Sequence, residues 1–225
     1  MKTTTPIAVL LLTLAGGIAA HAEHPWRYDH VGLSLHAGSF ELDGPAGTEA
    51  PDGGEEDFDM YGLRVEGHKL LSDVWYVRGV ADLSRLDGDA GLVQVNASIG
   101  TIRALKTWNT WNLDGYAQAG VEYVRTSDLD RLVTGPDFNG RGSGDEVGAT
   151  VEVGLSLGFR PETRMDLFAK YLALGDGGVS FGVRVSHDLN ETWTLTGGLD
   201  AVWVEDVTQI DLDSQRFSLG VLRKF

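Results

Sequence analysis

From residue 23 onward the chain alternates apolar and polar positions with a period of two, and no stretch there keeps a helical period. The clearest run is Val147, Ala149, Val151, Val153, Leu155, Leu157, Phe159, interleaved with small or polar residues from Gly148 to Gly158. Trp193, Leu195, Gly197, Leu199, Ala201, Trp203 repeats the pattern, as does Trp111, Leu113, Gly115, Ala117, Ala119, Val121, Tyr123. A slip of one residue would turn each run inside out, so the register is strongly specified.

Read this way, the chain divides into ten segments, at about 28–41, 58–70, 74–84, 91–105, 110–125, 146–160, 164–173, 178–187, 192–204 and 215–225. Several exceed the roughly 5–6 residues of an ordinary strand and match the roughly 9–11 that a tilted membrane strand needs. Tight joins at 71–73, 106–109, 160–163 and 187–191 alternate with longer connections, notably at 42–57 and 126–145. Short turns on one side and loops on the other predict an all-β fold: a single closed antiparallel transmembrane β-barrel of about ten strands, turns and termini in the periplasm. The short outer joins at 85–90 and 174–177 leave an eight-strand closure as the alternative.

The aromatic residues support a membrane setting. On the apolar face, Trp75, Trp111, Phe159, Trp193 and Phe225 fall beside the short turns; Tyr61, Tyr123, Tyr171, Phe181, Trp203 and Phe217 fall near the opposite strand ends. Ten steps from Trp193 to Trp203, at roughly 3.3 Å each and a tilt near 40°, give about 25 Å, the height of a barrel's apolar band. The chain opens with Met1-Lys2, an apolar run from Ile7 to Ala20 and the small-residue pair Ala20 and Ala22, which predicts a signal peptide at 1–22 and a barrel domain at 23–225. There is no cysteine, hence no disulfide or thiolate chemistry.

The last stretch, Phe217, Leu219, Val221, Arg223, Phe225, resembles the C-terminal strand of bacterial outer-membrane proteins, and the whole mature chain resembles the small OmpA-like and porin-like outer-membrane barrels. The resemblance implies residence in a bacterial outer membrane and recognition of Phe225 by the barrel-assembly machinery. Arg223 departs from the pattern, standing where those proteins usually carry tyrosine or another apolar residue. It implies no particular chemistry, because the architecture hosts many functions.

A formal charge of −15 excludes a general nucleic-acid binder. Under this topology 20 of the 33 acids lie at the outer side, against Arg85, Arg125, Arg131 and Arg141. Among them Asp52, Glu55, Glu56, Asp57 and Asp59 offer the hard oxygen ligands that divalent cations take. Their spacing is not that of a calcium loop, so a metal site is not assigned. Outer-membrane lipid, lipopolysaccharide and loop-bound divalent cations are the expected partners.

Inward positions carry Glu66, Asp82, Asp114, Glu122, Glu152, Asp166 and Asp200 with Arg64, Arg78, Lys170, Arg184 and Arg216, a nearly balanced set. Such charges in a narrow lumen must pair or stay hydrated. Three readings follow. The first is a structural or surface-interacting barrel with a polar plug, no cofactor and no catalysis. The second is a narrow channel whose selectivity the inward charges set. The third is a hydrolase built on His36, which shares a face with Ser34, although no Gly-x-Ser-x-Gly, His-Glu-x-x-His or phosphate loop occurs.

Overall fold

A computed structural model describes residues 29–43, 56–86, 90–108, 111–128, 143–207 and 210–225. The predicted signal peptide, Asp52, Glu55, Arg131 and Arg141 lie outside these residues.

Ten strands form: β1 (His30–Asp43), β2 (Glu56–Leu70), β3 (Trp75–Leu86), β4 (Gly91–Thr107), β5 (Asn112–Ser127), β6 (Gly144–Arg160), β7 (Thr163–Ala173), β8 (Gly177–Asp188), β9 (Trp193–Val207) and β10 (Ile210–Lys224). Each pairs antiparallel with its sequence neighbours, and β1 pairs with β10, so the sheet closes into a barrel without a free edge. Ten strands, not eight, close it. Hydrogen bonds close the chain across both short outer joins: Leu86 donates to the Ala90 carbonyl at 2.9 Å, and Gly177 to that of Leu174 at 2.8 Å. Gly175 and Gly177 take positive φ of 54° and 112°, which glycine adopts freely.

Several strands run further outward than alternation predicts. The tenth begins at Ile210 instead of 215, the ninth ends at Val207 instead of 204, and the second starts at Glu56 instead of 58. In the added stretches charged residues such as Asp211 and Asp213 occupy the odd positions that are apolar lower in the strand, so the phase that marks the membrane-facing run is lost. Acids assigned to loops, such as Asp59, Asp145 and Asp213, therefore stand on strand ends.

At the turn end, side chains cap the hairpins. The Ser72 hydroxyl accepts from the backbone of Trp75 at 3.2 Å, and Asn190 Oδ1 accepts from Thr192 at 2.8 Å and Trp193 at 2.9 Å. Every join at this end spans two to four residues.

The wall's outer face is apolar and bare. Val31, Leu33, Leu35, Leu83, Val95, Ile99, Val121, Leu155, Leu167, Val185, Leu195, Leu199 and Leu219 all stand exposed, Leu35 at 67% and Leu199 at 56%. An exposed belt of this extent would aggregate in water. A closed antiparallel barrel with such a belt satisfies every backbone group within lipid. The chain is a closed transmembrane β-barrel.

Candidate functional site

The lumen is where inward side chains converge, and it is filled in tiers. On β3, β5 and β7 one aromatic ring lies flat across the neighbouring strand: Tyr76 over Gly100, Tyr116 over Gly154 and Phe168 over Gly182, each pair directly opposed in register. A Cβ on any of these glycines would come within 2.3–2.4 Å of a ring atom. The glycines thus open the space that the rings fill.

The middle tier is a charge network. Asp82 on β3 accepts from Arg64 on β2 at 2.7 Å and from Arg216 on β10 at 3.3 Å. Arg216 also donates to Asp200 at 2.8 Å and to Gln94 at 3.0 Å, which ties β10 to β4 across the lumen. Glu66 on β2 receives Arg78 at 3.0 Å and Arg184, from the opposite wall, at 3.3 Å. Arg78 reaches Glu152 at 3.8 Å, and Lys170 pairs with Glu122. Asn96 bridges Glu122 at 3.3 Å and Thr150 at 3.2 Å.

Five bases thus meet five acids. A cavity of about 80 Å³ remains among them, lined by residues such as Arg64, Gln94, Glu122, Glu152 and Asp200. That is room for water among the charged groups.

The other two acids sit nearer the turns. Asp114 is buried opposite Ser156, which in turn faces Asp166 across β6 and β7. Asp166 lies 3.4 Å from Arg164, an inward base that the alternation reading passed over because it falls beside a turn. At the same end Lys224 pairs with Asp188 at 2.8 Å, and His30 and His68 stack with ring centroids 5.1 Å apart.

At the loop end the inward side chains become apolar. Phe40, Met60, Leu86, Ala90, Leu92, Val124, Leu172, Leu174, Val202 and Val204 pack as one buried cluster, with Phe58 against it. They come from seven strands and two outer turns, each from the part nearest the loops. Sequence reasoning missed this tier. Its signal was present, for these even-numbered positions break the polar alternation near strand ends.

His36 brings together a serine and an aspartate, though not the expected Ser34. Its Nε2 lies 2.9 Å from Ser84 Oγ and 3.3 Å from Asp82 Oδ1, while Ser84 also donates to Asp82 at 3.2 Å. A nucleophilic triad needs serine on one ring nitrogen and the carboxylate on the other, to fix the tautomer. Here both partners share Nε2, and Nδ1 has no hydrogen-bond partner. The trio is a hydrogen-bonded lumen cluster in which Gly62 makes room for the imidazole.

On the outer face Trp75, Trp111, Trp193 and Phe225 are exposed at the turn end, with Phe159 edge-on to Trp111 at 5.5 Å between centroids. Tyr61, Tyr171, Phe181, Trp203 and Phe217 are exposed towards the loop end, Phe181 and Trp203 6.2 Å apart, and Tyr123 is partly covered. Of the outer-side acids Asp52, Glu55, Glu56, Asp57 and Asp59, to which no metal site is assigned, Asp59 is exposed on β2.

No protein-family model matches the chain, and no curated protein matches it. Among solved structures it is similar to Neisserial surface protein A, at 12% identity and a TM-score of 0.40, covering 87% of this chain and 97% of that one. It is also similar to an outer membrane channel from Pseudomonas putida F1, at 10% identity and a TM-score of 0.47, covering 92% and 100%. The outer membrane protease OmpT from Escherichia coli is similar at 9% identity and a TM-score of 0.43, covering 93% and 99%.

Proposed function

We propose that this protein is an outer-membrane barrel with a closed lumen, which acts through its outer surface and its place in the membrane and is neither a pore nor an enzyme. The observation that carries this reading is the stacking of an apolar tier on the charge network. Ions crossing the lumen would have to break mutually satisfied ion pairs and then pass a packed hydrophobic layer, and hydrophobic constrictions resist wetting. The shared Nε2 of the His36 cluster argues against hydrolysis. The acidic outer side is then the part free to engage divalent cations and, through them, lipopolysaccharide phosphates, while Phe225 would serve the assembly machinery.

The test is single-channel recording of the refolded protein in a planar bilayer, with insertion verified by protease protection. A silent membrane is the expected result. Discrete current steps whose ion selectivity shifts in Glu152→Gln or Arg184→Gln would overturn the closed lumen and establish a narrow channel.

A further inference from the structure

We infer that the lipid-facing wall at β2–β4 holds one phospholipid of the periplasmic leaflet, with an acyl chain in a groove floored by Gly67 and Gly79 and the phosphate between Lys69 and Arg223. The groove has a volume of about 760 Å³, and its lining includes Val31, Lys69, Val77, Ala97, Ile99 and Phe225. Gly67 and Gly79 oppose each other in register, with Val31 beyond one and Ala97 beyond the other.

These two glycines differ from those inside the barrel. A Cβ on either would meet nothing within 4 Å, and neither adopts positive φ. Neither internal packing nor backbone conformation accounts for them. What lies over the bare backbone comes from outside the chain, and at this depth in the wall that is lipid.

Charge identifies the kind. Lys69 stands on the same face of β2, two residues turnward of Gly67. Arg223, on β10, opposes Val31, which itself opposes Gly67, so two bases border the turn end of one apolar groove. Arg223 is paired in register with Trp193, and its guanidinium lies 5.4 Å from the Phe225 ring centroid, which holds it at the interfacial level. The neighbouring acid, Asp29, directs one carboxylate oxygen to the Leu70 amide at 2.7 Å. An apolar groove ending in two cations at headgroup depth suits a phosphate with attached acyl chains. It also gives a purpose to Arg223, the residue that departs from the usual C-terminal pattern.

Native mass spectrometry of the refolded chain, released from vesicles of phosphatidylethanolamine and phosphatidylglycerol, tests the site. The protein is expected to retain one phospholipid, and Lys69→Gln and Arg223→Gln each to lower its occupancy about five-fold. Gly79→Leu places a side chain in open space, so the barrel should fold as before while the lipid is lost. Equal lipid retention by all four proteins would overturn the inference. So would a parent protein that is a dimer while Gly79→Leu is a monomer that keeps its lipid, which would make the groove a contact between two copies of the chain.

Discussion

Gly154 shows how much of this barrel depends on single atoms. The Tyr116 ring lies where a Cβ would project, at 2.4 Å, so the ring would have to shift. Gly154→Ala should destabilise the folded protein by about 1–3 kcal/mol through overpacking, measured as a shift in urea unfolding in detergent micelles. Trimming the ring in a Tyr116→Ala, Gly154→Ala double variant should cost less than the two single changes added together. Asp82 illustrates the electrostatic counterpart. Its carboxylate joins Arg64, Arg216 and His36, so Asp82→Ala takes one ionic partner from the buried Arg216 and one from the partly buried Arg64, and should cost about 3 kcal/mol. Equal stability of Asp82→Ala and the parent protein would mean that the network is hydrated and loose. The glycines' abundance was visible in the chain, but which ring each receives was not, because that needs the register between strands.

At the scale of the strand, alternation governs which side a residue meets. Leu199, midway between Trp193 and Trp203 on β9, is 56% exposed to the outside, whereas its neighbour Asp200 is held by Arg216 within. Leu199→Arg should therefore cost about 2–4 kcal/mol, as a charge placed near the bilayer midplane does, read from unfolding in lipid vesicles. A negligible cost would contradict the inside and outside faces assigned to β9. Strand number and turn positions were legible because lipid on one side and a packed lumen on the other impose a period of two. Strand ends were not: at Ile210–Asp213 and Glu56–Asp59 charged residues break the pattern of apolar odd positions that marks the rest of each strand.

For the molecule as a whole, the formal charge is −15. In the middle tier of the lumen five acids and five bases pair and cancel, so that tier contributes none of the excess negative charge. The apolar cluster from Phe40 to Val204 separates the exterior from the charged tier, which is why a closed lumen and a silent bilayer are the expected behaviour. The sequence by itself determined the barrel and its inward and outward faces, because both follow from local alternation and turn length. Only the tertiary structure decided that Arg216 reaches Asp82 and Gln94, that Arg184 crosses to Glu66, and that Ser84 rather than Ser34 meets His36. Closure and stagger of the sheet bring strands distant in sequence face to face, and no pattern along one strand records where the opposite wall will lie.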